Sequence, residues 1–113
     1  MTAANAIAPG FVTVWPCGTP QPLASNLNFA AGQTVPNSVI AKAGTDGKVC
    51  LFSSQAIDAV VDVAGYFPDT VGFTPLPAPQ RLLDTRPGFT TADGTGAGTG
   101  ELTLGSTREL VVA

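Results

Sequence analysis

Histidine is absent from this 113-residue chain, and charged side chains are scarce, at 12% of the residues. Without histidine, no serine–histidine or cysteine–histidine nucleophilic pair can be assembled. Five basic residues against eight acidic ones leave a net charge of −3, so there is no basic field to attract nucleic acid. No run approaches the roughly 20 apolar residues that a membrane-spanning helix needs. These absences predict a non-catalytic protein that needs no cofactor, binds no nucleic acid and does not insert into a membrane.

The scarce charge is replaced by small polar residues together with 13 glycines and 10 prolines. This composition suits short strands joined by many turns, and it suits long helices poorly. The chain length fits a single domain. We therefore treat residues 1–113 as one module.

Strand-like segments are short and frequent, and we predict them at residues 11–15, 23–29, 38–42, 48–52, 56–67, 81–85, 101–104 and 107–112. The pair Asp46-Gly47 predicts a hairpin that joins 38–42 to 48–52, because glycine tolerates positive φ. A helix competes for 56–67, but its valine and isoleucine content favours a strand. Eight short strands at this spacing predict an all-β, antiparallel β-sandwich of the immunoglobulin-like or jelly-roll-like type.

Two cysteines, Cys17 and Cys50, allow a single pairing. In an oxidising compartment they could form a disulfide, and otherwise they would be two buried free thiols. No metal site is predicted, because there is no histidine and no second pair of cysteines.

Three groups of polar and aromatic side chains are candidate contact sites. Arg81, Asp84 and Arg86 predict a structural ion cluster around a partly buried carboxylate, with a ligand contact as the functional alternative. Asp58 and Asp62 share one face of a strand. They are either a solvated surface or a pair of carboxylates with the acid–base role found in glycosidases. A sugar platform could use the rings and amides of Trp15, Asn26, Asn28 and Tyr66.

Five segments resemble a known family of repeats: FVTVWPCG at 11–18, SNLNF at 25–29, GQTV at 32–35, VAGYFP at 63–68 and RLLDTR at 81–86. They are similar to a β-sandwich repeat of actinobacterial-type secreted and cell-surface proteins, found in tandem or appended to exported hydrolases. The resemblance implies a structural or adhesive role and a location outside the cell. The first nine residues do not resemble a signal peptide, so an export signal would lie outside this sequence.

The order of these motifs departs from the family pattern. Residues 1–68 resemble the closing part of one repeat, 69–80 a proline-rich linker, and 81–113 the opening part of the next repeat. The resemblance thus implies a permuted repeat that lacks one strand.

A sandwich without one strand exposes unpaired backbone groups along an edge. We expect that edge at Thr2, Ala3, Ala4, Asn5, Leu110, Val111 and Val112. A neighbouring repeat, an identical chain or a complementing peptide strand could pair there. Alternatively, the glycine-rich segment 88–100 or the linker covers the gap.

The sequence therefore predicts a structural or adhesive module of an exported bacterial protein that associates through strand edges. A carbohydrate-binding module that contacts surface glycans is the alternative, and a hydrolase fragment is a more distant one.

Overall fold

The computed structural model describes residues 1–68 and 72–113, which form eight strands and one short 3-10 turn, Thr45–Gly47. The strands are β1 Thr2–Ala4, β2 Gly10–Pro16, β3 Leu27–Phe29, β4 Val35–Pro36, β5 Lys48–Ser53, β6 Asp58–Tyr66, β7 Thr74–Asp84 and β8 Ser106–Val111. They form two four-stranded sheets. The first sheet has the order β4-β1-β6-β7, the second has the order β3-β2-β5-β8, and all strand pairs within them are antiparallel. The predicted all-β, antiparallel sandwich is confirmed.

The core lies between the two sheets because alternate residues of each strand point inward. The first sheet contributes Ala3, Ala59 and Leu83, which are all buried. The second sheet contributes Val12, Leu27, Phe29, Val49, Leu51 and Leu110. A smaller cluster of Trp15, Cys17 and Cys50 packs with Phe52 apart from this core.

Strand predictions hold where a partner strand exists. Segments 11–15, 48–52 and 81–85 correspond closely to β2, β5 and the end of β7, and 56–67 contains the strand β6 rather than a helix. Segment 107–112 corresponds to β8.

Three other strand predictions are wrong in whole or in part. Only residues 27–29 of segment 23–29 form a strand. Segment 101–104 contributes a single bridge, Leu102 to Ile57, and 38–42 forms no strand at all. Ile40 in that last segment is 86% exposed. A β-prone segment that buries nothing and meets no partner does not become a strand.

The predicted hairpin at Asp46-Gly47 is also wrong. Both residues do adopt positive φ, 56° and 67°. However, they lie in the 3-10 turn, and β5 pairs with β2 and β8 rather than with 38–42. Asp46 and Gly47 thus have the positive φ expected of a tight turn, but the segment before the turn is a loop and not a strand.

The proline-rich segment 75–79 lies inside strand β7 instead of forming a separate linker. Residues 69–71 of the predicted linker lie outside the described residues. Val63 pairs with Gln80, and Gly65 pairs with Pro75, so residues 76–79 bulge from the ladder. Proline lacks a backbone N–H, and an edge strand such as β7 tolerates it there.

The prediction of an open edge at the amino-terminal strand is wrong. β1 is an inner strand, because Thr2 pairs with both Pro36 of β4 and Val60 of β6. Ala3 and Ala4 are buried. The side-chain amide of Asn5 donates a hydrogen bond of 2.7 Å to Asp58 Oδ2 within the same chain.

Cys17 and Cys50 form a disulfide with a Cα–Cα distance of 5.1 Å. The alternative of two free thiols is therefore wrong. Cys50 lies on β5, opposite Trp15 on β2, and Cys17 directly follows β2. The bridge thus ties the end of β2 and the loop after it to the centre of the second sheet.

Replacing both cysteines, as Cys17→Ser/Cys50→Ser, should lower the free energy of unfolding by about 3 kcal/mol, because the bridge closes a loop in the unfolded chain. Denaturant unfolding of the oxidised parent and the double variant measures the difference. The control is a reductant, which should destabilise the parent but leave the variant unchanged. Equal stability of the two proteins would show that the bridge contributes nothing.

Candidate functional site: the open edge of strand β8

A buried carboxylate lies at the carboxyl end of β7. Asp84 is 0% exposed. Its oxygens accept hydrogen bonds from Arg86 Nε at 2.9 Å, Arg86 Nη2 at 2.7 Å and Arg81 Nη1 at 3.1 Å. Arg81 also binds Asp62 through Nε at 2.8 Å. The structure thus brings the three residues of the predicted polar cluster together around one carboxylate.

The two guanidinium groups keep Asp84 ionised. Hydrogen bonds from Arg86 are the main reason that the pKa of Asp84 lies below its ordinary value, and they outweigh the opposing effect of burial. The Arg86 guanidinium also lies 4.0 Å from the centre of the Phe89 ring. The cluster is consequently a closed set of contacts within the chain, which favours the structural interpretation over a ligand contact.

The glycine-rich segment, residues 88–100, docks beside this cluster. Asp84 N donates to Gly96 O at 3.1 Å, and Gly98 N donates to Asp84 O at 2.9 Å. A Cβ on Gly96 would collide with the backbone carbonyl of Leu82, so this close approach requires glycine. The segment therefore covers the outer edge of β7 at Asp84, which is not the edge at which the gap was predicted.

The proposed sugar-binding residues do not form one surface. Trp15 is buried, and its indole N–H donates to Thr19 O at 3.1 Å. Asn26 supports β2 by accepting a hydrogen bond from Val14 N, and exposed Asn28 accepts one from Ser25. Tyr66 lies at the end of β6, in the other sheet.

Strand β8 is an edge strand with one side unpaired. Its ladder to β5 runs from Ser106–Ser53 to Val111–Lys48. Beyond that ladder, Ser106 N donates a hydrogen bond to Thr103 O at the start of β8. At its end, Val112 N donates to Gly47 O. The backbone groups that point away from β5 are therefore available to another strand.

The other sheet edges of the described residues are short or covered. β3 has three residues, and β4 has two. β7 carries prolines along one half and the glycine-rich segment along the other. Very short strands, prolines and covering loops all hinder edge pairing, so β8, with six residues, is the edge best able to accept a strand.

A groove of about 440 Å³ runs beside this edge. Leu83 and Leu110, both core residues, lie at its base. Its remaining lining comes from β8 and from the glycine-rich segment: Arg108, Glu109, Val111, Asp93, Thr95 and Gly96. Val111 is 53% exposed. The groove thus leads from the unpaired edge toward the core, a shape that suits inserted side chains of an added strand.

The structure divides the predicted edge residues into two groups. Leu110, Val111 and Val112 lie on or next to the open edge, whereas Thr2–Ala4 form an inner strand. Sequence reasoning missed the groove wall at Asp93, Thr95 and Gly96. The glycine content of that segment indicates a loop but not the strand against which the loop folds.

A carboxylate oxygen of Glu109 and the sulfur atoms of Cys17 and Cys50 all lie within 4.8 Å of one another. Because Cys17 and Cys50 are joined to each other, their sulfur atoms are not thiolate ligands. Glu109 instead forms an ion pair of 3.0 Å with Lys48.

Comparison with known proteins finds no matching family model, no similar curated protein and no similar solved structure. The resemblance to bacterial surface repeats therefore stays a prediction. The described residues include no helix long and apolar enough to cross a membrane.

Substituting Asp84→Asn should lower the free energy of unfolding by about 3 kcal/mol, because two arginines lose the buried carboxylate that they share. Chemical denaturation measures the loss. Asp62→Asn is the matched control, since it removes an exposed partner of the same Arg81 and should cost less than about 1 kcal/mol. Similar losses in both variants would contradict the assigned role of Asp84.

The same carboxylate predicts an acid-dependent stability. Because the folded-state pKa of Asp84 is depressed, its contribution is fully present above the ordinary value of 3.8 and is lost as the pH falls through the lower folded pKa. The stability difference between the parent and Asp84→Asn should accordingly narrow below pH 3.8. Denaturant unfolding at a series of acidic pH values tests this, and a constant difference would contradict it.

Proposed function

We propose that this chain is a non-catalytic structural or adhesive module of an exported bacterial protein, and that it associates by accepting a β-strand along β8. The observation that carries the proposal is the six-residue unpaired edge of β8 beside a groove with core leucines at its base. Strand addition would satisfy the outward backbone groups, and alternate side chains of the added strand would fill the groove.

The disulfide supports the exported location. Cys17 and Cys50 are bridged, and such bridges persist in oxidising compartments. The resemblance of the five sequence motifs to secreted and cell-surface repeats points to the same location. A neighbouring repeat, an identical chain or a separate peptide could each supply the strand.

The carbohydrate-binding alternative has less support. It depended on Trp15 together with the asparagine face, and Trp15 is buried against the disulfide. A buried ring that donates its N–H to Thr19 O within the chain is not available to stack on a sugar.

An extension of the chain tests the acceptor edge directly. A flexible turn and a six-residue strand of alternating threonine and valine, appended after Ala113, should fold back along β8, because the tether supplies a high local concentration. We expect the unfolding temperature to rise by about 4 °C or more. Amide hydrogen exchange should slow at β8 in the extended protein.

The control extension has the same length, with proline in place of each threonine, so that it cannot form the ladder. It should leave both the unfolding temperature and the exchange of β8 unchanged. If the two extended proteins behave alike, β8 does not accept a strand and the proposed function fails.

A further inference from the structure

We infer that the strand accepted by β8 carries a carboxylate opposite Arg108 and comes from a segment other than a second copy of β8. This inference rests on the proposed function, and it defines the chemistry of the partner. Its basis is the placement of Arg108 within the edge strand and the charge pattern of its neighbours.

Arg108 lies on the groove side of β8. Along the strand, Ser106, Arg108 and Leu110 are at least half-buried, whereas Thr107, Glu109 and Val111 are exposed. This alternation places Arg108 on the same face as the core residue Leu110. Its Nη1 donates a hydrogen bond of 2.9 Å to Thr99 Oγ1, and its side chain lines the groove.

Arg108 has no carboxylate within 4.0 Å among the described residues. By contrast, Lys48 pairs with Glu109, and Arg81 and Arg86 both pair with Asp84. A strand laid over the groove would remove water from the Arg108 guanidinium. Burying that charge without a partner is costly, so an acidic side chain on the added strand is the complementary group.

The face alternation sets the partner's sequence pattern. An apolar residue opposite Leu110 would pack toward Leu83, and the acidic residue would lie opposite Arg108, two positions away. Antiparallel pairing is the arrangement of all strand pairs within both sheets. It places the apolar residue first, so the partner reads apolar, any residue, acidic from its amino end.

Charge repulsion disfavours a second copy of β8. Two identical strands related by a twofold axis pair antiparallel, with the same face of each strand on the same side of the sheet. The residue on the axis then lies directly opposite its own copy, so each possible register is centred on one residue. The two registers with the longest overlap of Ser106–Val111 are centred on Arg108 or on Glu109. Each places like charges directly opposite, which destabilises the pair.

A charge-exchange experiment tests the inference with two extended proteins. In both, the appended strand has valine opposite Leu110; in one it has glutamate opposite Arg108 and in the other lysine. We expect the equilibrium constant for unfolding to be about fivefold smaller with glutamate than with lysine. In the Arg108→Glu background the order should reverse, and in the Arg108→Gln background it should largely disappear.

The outcomes separate the two proposals. If neither extension stabilises the chain relative to the proline control, strand acceptance itself fails. If both extensions stabilise the chain equally in all backgrounds, strand acceptance stands and the inference of an acidic partner strand is wrong. Sedimentation of the parent chain tests the identity of the partner. A monomer supports a non-identical strand, whereas a dimer that the substitution Glu109→Pro disrupts overturns it.

Discussion

The buried carboxylate of Asp84 connects the parts of the molecule that form the candidate site. Its two arginine partners belong to β7 and to the turn that follows, while its own backbone binds the glycine-rich segment at Gly96 and Gly98, on both sides of Ala97. The position of that segment sets the distance between the groove wall at Asp93 and the edge of β8. The polar cluster thus positions the segment that forms one wall of the groove beside β8.

The proposed strand addition can take place only at an unprotected edge of a sheet. A two-layer sandwich has four edge strands, and each exposes backbone groups that another chain could use. Shortness protects β3 and β4, and prolines with the docked glycine-rich segment protect β7. β8 has none of these protections, but Arg108 on its inner face is itself a recognised deterrent to indiscriminate pairing. Under our proposal, this charge makes the edge selective for a strand that neutralises it.

The sequence predictions failed for one recurring physical reason. Residues 38–42 have the composition of a strand, yet no strand lies beside them, and Ile40 stays in solvent. Thr2–Ala4 are unremarkable in composition, but they lie between β4 and β6 and become an inner strand. Strand propensity reflects fit to a half-buried surface, so a short segment depends on neighbours that are distant in the chain.

What the sequence determined by itself is local: extended segments with alternating apolar residues, turns at glycine and proline, one possible cysteine pair, and the charges near Asp84. These follow from backbone sterics and from residue spacing, and they predicted the fold class and the polar cluster. Only the tertiary structure decided which strands are inner and which are edges. It also decided that the glycine-rich segment covers β7 and leaves β8 open, because hydrogen bonds between strands join residues far apart in sequence.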